Sequence, residues 1–195
     1  MRLDEILVHR QIRAWRQTLL YSANYESPIG GLELTSDGTT LTGLYFANEL
    51  AEGRTAKLVN LSDLPVFAKT ARWLDAYFSS KPLPEMPELN AQGSDFQRKI
   101  WTLLLKIPSG KTVTYGQLAA DYCRTFGAET MSARAVGGAV GRNPISIIVP
   151  CHRVVGVGGR LTGYASGVEH KIALLNIEGV NVRESAAAPA DWRVG

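Results

Sequence analysis

Apolar positions change their spacing several times along this chain of 195 residues. Residues 1–18 carry a sparse apolar set (Ile6, Leu7, Ile12 and Trp15) that fits one short amphipathic helix. From Leu19 the runs shorten and alternate: LLYSANYE, LELT and LTGLYFA, separated by SPIGG and SDGTT. Alternation bounded by turn residues predicts a small antiparallel meander of three strands. Ser36-Asp37-Gly38 is its tightest turn, because glycine accepts the positive φ such turns need. Residues 64–79 then switch period. Phe67, Ala71, Leu74 and Phe78 fall on one helical face, which predicts a helix packed on the sheet. Residues 81–87 (KPLPEMP) hold three prolines, which disfavour regular structure and make a stiff connector. A first domain over residues 1–88 is expected.

The second domain, residues 93–179, reads as mostly helical. Ser94 and Gln97 form a capping-box pattern ahead of Phe96, Ile100, Trp101, Leu103 and Leu104. Thr114 and Gln117 repeat the pattern and start a helix toward Tyr122, and Ser132 caps a third, SARAVGGAVGR. Two short capped helices joined by a turn have the layout of a helix-turn-helix. The apolar run Ile145–Val149 predicts a buried strand, stopped by Pro150. A glycine-dense loop over 156–167 precedes a last helix, from about Glu169 to Glu178, closed by Gly179. Residues 180–195 read as a flexible tail. The expected class is α/β in the α+β sense: an antiparallel sheet with a helix, then a winged-helix-like domain.

Composition narrows the function. Hydrophobic residues make up 45% and charged residues 20%, an ordinary globular balance. No apolar run reaches eighteen residues, and charges interrupt the first seventeen, so neither a membrane helix nor a secretory leader is expected. Two cysteines, Cys123 and Cys151, exclude a disulfide framework and a four-cysteine zinc site. The net charge is only +3, yet residues 95–179 hold ten Lys/Arg against five Asp/Glu. A basic second domain permits a polyanionic partner. Gly110-Lys111-Thr112 is no phosphate-binding loop, because Leu105 stands where the leading glycine is required.

Cys151 is the residue with candidate chemistry. It lies between Pro150 and His152, followed by Arg153, among groups that favour a thiolate. The residues alone leave two readings open: an activated nucleophile, or an inert buried thiol beside a structural histidine. Cys123, in a helical context without such neighbours, reads as a packing residue.

The run from Asn143-Pro144 to Pro150-Cys151-His152-Arg153-Val154 resembles the active-site signature of the O6-alkylguanine-DNA alkyltransferases, or methylated-DNA–protein-cysteine methyltransferases. Thr114-Tyr115-Gly116-Gln117, Ala133-Arg134-Ala135-Val136-Gly137, Gly163-Tyr164, Lys171 and Glu178-Gly179 agree with that family in the same order. The resemblance implies a repair protein that moves the alkyl group of O6-alkylguanine, with O4-alkylthymine as a further substrate, irreversibly to Cys151. It implies His152 as base through a bridging water, Glu178 as its orienting acid, Tyr115 as proton donor and Asn143 as the brace of the cysteine turn. Because His152 directly follows Cys151, such a relay requires that the strand has ended. Arg134 would fill the stack left by the flipped nucleotide, with Ser132, Tyr115, Ala135 and Gly137 on the DNA side. Val154, Tyr164, Ser166 and Lys171 would form the base pocket.

The implied partner is duplex DNA bound through its minor groove with little sequence preference, by a monomer in the cytoplasm or nucleoid. No cofactor and no metal are expected. Several positions depart from the family's usual pattern: Ala165, Ala173, Asn176-Ile177, and the thirteen-residue spacing from Asp121 to Arg134 that predicts a long inter-helix link. Two other classes compete: a relative that binds alkylated bases without reacting, and a winged-helix regulator with Cys151 as redox sensor. An unrelated Cys-His hydrolase would leave the DNA-binding layout unused.

Overall fold

The computed structural model describes residues 20–49 and 56–180. The expected leading helix over 1–18, and the expected tail beyond residue 180, lie outside the described residues. Three strands, β1 (Tyr21–Ser27), β2 (Gly30–Ser36) and β3 (Leu41–Phe46), form the expected antiparallel meander. At the β2–β3 turn, Asp37 Oδ1 accepts from the backbone N–H of Thr39 and Thr40, and Gly38 takes φ +103°. The sheet differs from expectation in one respect: β4 (Lys57–Leu58) adds a fourth strand, parallel to β1, giving the order β3-β2-β1-β4. Two residues carry no alternation, so such a strand leaves no sequence signal.

Helix α1 (Pro65–Phe78) covers one face of this sheet. Phe67 and Leu74 are fully buried with Leu34, Leu44 and Phe46, whereas Ala71 and Phe78 sit at the margin of the core. Proline at its first position suits a helix start, where the missing N–H has no partner to lose.

The second half follows from its caps. Both capping boxes form: Ser94 opens α2 (Asp95–Leu104) and Thr114 opens α3 (Tyr115–Phe126). Ser132 caps α4 (Ala133–Val140) through the Ala135 N–H. Helix α3 does not stop near Tyr122. It continues to Phe126, where Gly127 at φ +72° ends it. The expected long link is therefore mostly helix, and only residues 127–132 join α3 to α4. Tyr122 and Phe126, one turn apart, pack ring to ring at 5.0 Å with Phe96 of α2 beside them, which favours the extra turn. The Trp101 indole N–H donates to the Ala139 carbonyl at 2.9 Å and ties α2 to α4.

Residues 145–149 correct a second expectation. They are buried, as their apolar run requires, but they form a turn and not a strand. Ile147 takes φ +69°, a strained conformation for a β-branched residue. An apolar run reports burial and leaves backbone shape open. Here the shape is imposed by side-chain bonds from Asn143 and by docking on the sheet. Leu44 N–H of β3 donates to the Pro144 carbonyl, and Ser146 N–H returns to the Leu44 carbonyl, both at 2.9 Å. The chain then passes through a 3-10 turn (Cys151–Arg153) into a short parallel pair, in which β5 (Val113–Thr114) meets β6 (Val154–Val155). Helix α5 (Val168–Ile177) closes the fold, and Gly179 at φ +76° turns the chain away. A single apolar cluster runs from the sheet through α1 to α4, reaching Cys151 and Leu174.

Candidate active site

The cysteine turn is held from within by one amide. Asn143 Nδ2 lies 2.8 Å from the Val149 carbonyl, 3.2 Å from the Ile145 carbonyl and 3.1 Å from Cys151 Sγ. Its Oδ1 accepts from the Ile145 N–H at 3.1 Å. Next to this turn, the β5–β6 pairing sets Cys151 beside the start of α3, where Tyr115 stands. Cys151 is 7% exposed and borders a cavity of about 760 Å³. Tyr115, Arg134, Gly137, Asn143 and Tyr164 line the same cavity, so five of the expected residues share the space that the thiol borders. Gly137 faces the Tyr115 ring, and a Cβ there would stand 3.6 Å from it.

His152 and Glu178 sit behind the cysteine, both essentially without solvent contact. His152 Nε2 and Glu178 Oε1 are 2.7 Å apart. Arg153 grips the same carboxylate with two bonds of 2.8 Å and also donates to the Ile107 carbonyl. These charges, with the hydrogen bonds, hold the Glu178 carboxyl far below its ordinary value despite its burial. An ionised Glu178 requires a proton on His152 Nε2. The lone pair of the neutral ring is then on Nδ1, a buried atom with no protein partner. Burial pushes the His152 pKa down against the pull of Glu178, and burial pushes the Cys151 thiol up against the Asn143 hydrogen bond. The resting pair is a neutral thiol and a neutral imidazole, poised for the proton to move when a reaction draws charge onto sulfur.

The remaining expected residues lie further out. Lys171 is fully buried and does not line the cavity; its Nζ donates to the carbonyls of Val154 (2.6 Å) and Thr162 (3.0 Å). That cross-tie braces the wall, and burial lowers the Lys171 pKa to about 8. Val154 and Ser166 are also behind the wall, where the Ser166 carbonyl accepts from Asn48 Nδ2 at 2.8 Å. Ser132 and Ala135 are exposed at the start of α4, next to Arg134. The cavity adds Ser146, Thr162 and Arg142, none of which the sequence singled out as lining, and it includes Ala165, one of the positions that depart from the family's usual pattern. Thr162 Oγ1 donates to the Tyr115 hydroxyl at 3.2 Å. Arg153 was visible only as a positive neighbour of the cysteine. Among the described residues no group of three or more His, Cys, Asp or Glu gathers as metal ligands would.

Residues 20–85 match the ribonuclease-like domain of 6-O-methylguanine DNA methyltransferase, and residues 95–180 match the DNA-binding domain of the same family. The Mycobacterium tuberculosis methylated-DNA–protein-cysteine methyltransferase is 40% identical over 173 residues, covering 89% of this chain and 97% of that protein. This chain belongs to that methyltransferase family. The Haemophilus influenzae methylated-DNA–protein-cysteine methyltransferase is likewise 40% identical, over 83% of this chain and 87% of its own length. The crystal structure of the M. tuberculosis O6-methylguanine methyltransferase superposes with a TM-score of 0.70 at 38% identity, covering 89% of this chain and 97% of that one. A structure of M. tuberculosis OGT in complex with DNA gives 0.70 at 39% identity, over 88% and 96%. The methyltransferase likeness thus spans both halves of the fold, including the sheet, where no motif carried the resemblance.

Proposed function

We propose that this methyltransferase repairs duplex DNA by moving the alkyl group of O6-alkylguanine onto Cys151 Sγ. The observation that carries this reading is the thiol at the edge of an open cavity with room for a base, next to a buried imidazole whose Nδ1 has no hydrogen-bond partner among the described residues. The Cys151 proton passes to His152 Nδ1 through a bridging water. Sulfur bonds to the alkyl carbon while the carbon–O6 bond breaks, and its electron pair stays on the guanine. Tyr115 protonates the departing base, a poor anion otherwise, and recovers its proton from the imidazolium through solvent. Glu178 and Arg153 fix the ring, and Glu178 stabilises the positive charge that forms on it. Asn143 donates to the developing thiolate. The thioether has no leaving group comparable to that of an ester, so each molecule reacts once.

The reacting carbon is inside the duplex, and the nucleotide must rotate out at a cost of a few kcal/mol. Arg134, exposed on α4 at the cavity mouth, fills the vacated stack from the minor groove. Few base-edge contacts are needed, and the basic second domain supplies attraction to phosphates. The protein acts as a monomer on DNA in the cytoplasm or nucleoid. No helix among the described residues is long and apolar enough to cross a membrane.

Peptide mass spectrometry after mixing with duplex O6-methylguanine DNA tests the reading. One methyl group on the Cys151 peptide, absent in Cys151→Ala, is expected. Unmodified protein that still binds the lesion would support the binding-only relative instead.

A further inference from the structure

Glu178 receives a donor that comes from the other half of the molecule. Tyr77, on α1, places its hydroxyl 2.8 Å from Glu178 Oε1, the oxygen that also meets His152. The two residues are 101 positions apart, and Tyr77 is 5% exposed. Its ring is fixed by stacking on Trp73 at 5.5 Å and by an edge contact with Phe78 at 5.3 Å. At the end of α5, Glu178 is thereby the point where three other segments meet. Tyr77 comes from α1, His152 and Arg153 from the cysteine turn, and the Gly110 N–H, at 3.3 Å, from the loop after α2.

We infer that Tyr77 is a positioning residue for alkyl transfer, setting through Glu178 how strongly the His152 imidazole holds a proton. The inference rests on the role proposed above for His152, and it gives the N-terminal sheet-and-helix unit a direct part in the chemistry. The physical reasoning is a competition for one oxygen. A carboxylate oxygen that accepts from a phenol, a guanidinium and an imidazole divides its charge among them. Removing the phenol returns charge to the imidazole bond, so His152 holds its proton more tightly. Strengthening the phenol does the reverse. The titratable and charged groups facing this junction are Arg153 and Lys171, which disfavour the imidazolium, Glu178, which favours it, and the Cys151 thiol. Tyr77 is uncharged at neutral pH, because burial and Glu178 raise its pKa far above the ordinary phenol value. It therefore acts as a hydrogen-bond donor and not as a proton source.

Tyr77→Phe in the full chain tests this, with two readouts. The first is the pH dependence of the single-turnover rate of methyl transfer from duplex O6-methylguanine DNA. The acid limb is expected to move up by about half a pH unit, a fraction of the effect of one charge-assisted bond. The second, which needs no reaction, is the ring N–H resonance of His152. It is expected to move downfield as its bond to Glu178 strengthens. Site-specific 3-fluorotyrosine at position 77, a stronger donor of nearly the same shape, should shift both readouts the opposite way and serves if the Phe variant folds poorly. Tyr25→Phe is the control: Tyr25 bonds Asp75 at 2.7 Å on the same side of the fold and makes no contact with Glu178. It should leave both readouts at wild-type values. An unshifted limb and an unmoved resonance in the Tyr77 variants would reduce Tyr77 to packing. A moved resonance where the wild type itself transfers no methyl group would keep the link from Tyr77 to the imidazole but overturn the proposed reaction, and with it any part of Tyr77 in alkyl transfer.

Discussion

Asn143 Nδ2 stands 3.1 Å from Cys151 Sγ and 2.8 Å from the carbonyl of Val149, so one amide both shapes the cysteine turn and touches its thiol. The coupling matters because the turn is costly. Ile147 is held at φ +69°, and the buried carbonyls of Ile145 and Val149 have Asn143 as their side-chain partner. Strain of order 1–3 kcal/mol persists only where surroundings over-determine it. Asn143 and the edge of β3 provide that determination from two sides.

Asn143→Ala is expected to lower stability by about 2–4 kcal/mol, since it strips hydrogen bonds from buried carbonyls and leaves a void. Urea denaturation reads this loss. The alkyl-transfer rate should fall by more than stability alone explains, because Sγ loses its donor. A variant that unfolds earlier but transfers methyl at the wild-type rate where still folded would separate the two roles and remove Asn143 from the chemistry.

The ionisation of Cys151 and His152 predicts two different pH dependences. Burial raises the thiol pKa, so Cys151 should react with iodoacetamide at pH 7 more slowly than an ordinary free thiol and go on gaining rate past the usual thiol range near ~8.5. Cys123, partly exposed on α3, should label first. The proposed transfer takes His152 as its base, and burial lowers its pKa. The transfer rate should therefore hold steady down through pH ~6.5 and fall only in more acid solution. A transfer rate that tracks the iodoacetamide profile would mean the imidazole is not the base.

Much of this site was legible in the sequence. The capping boxes at Ser94 and Thr114, the Ser132 cap and the helical face of Phe67 and Leu74 are local patterns whose physics is complete within a few residues. The residues around Cys151 were legible for another reason, since their order resembled a known signature. Most of what escaped has no local expression. Ile145–Val149 is buried like a strand but bent by Asn143 and β3. The last turn of α3 had a local sign that went unread, Phe126 four residues after Tyr122 with Gly127 behind it, whereas β4 is only two residues long. Lys171 was expected in the pocket, yet its buried ammonium spans two wall carbonyls, a role set by partners nine and seventeen residues away. Tyr77 lies 101 residues from Glu178, and no spacing rule reaches that far.

Stability should fall on acidification in two windows. His152 has a folded pKa below its unfolded value near ~6.5, so the unfolded chain binds the proton first and stability begins to drop below that pH. Glu178 and Asp37 have depressed folded values; their contribution is fully present above the unfolded carboxyl pKa near ~4 and is lost as pH falls below it. Urea midpoints measured from about pH 3 to about pH 8, which brackets the ordinary carboxyl and imidazole ranges, should show both steps. Glu178→Gln should flatten the lower step to the part due to Asp37 and the exposed Asp95, and cost about 3–5 kcal/mol at neutral pH by leaving buried Arg153 without its counter-charge. A lower step of unchanged size in Glu178→Gln would assign it to other carboxylates.

The proposed role of Arg134 separates recognition of duplex DNA from the chemistry. It is exposed at the start of α4, borders the cavity and makes no contact with Sγ, Asn143 or the His152–Glu178 pair. Arg134→Ala should therefore react with free O6-benzylguanine at close to the wild-type rate while losing roughly 10-fold or more on duplex O6-methylguanine, the loss of a stack-filling side chain worth a few kcal/mol of unpairing. Its affinity for undamaged duplex should fall less, and the slope of log affinity against log salt should drop by about one if the guanidinium also neutralises a phosphate. Equal losses on the free base and the duplex would place Arg134 in the pocket wall and leave the vacated stack to another residue, with Arg142, on the same cavity rim, the next to replace.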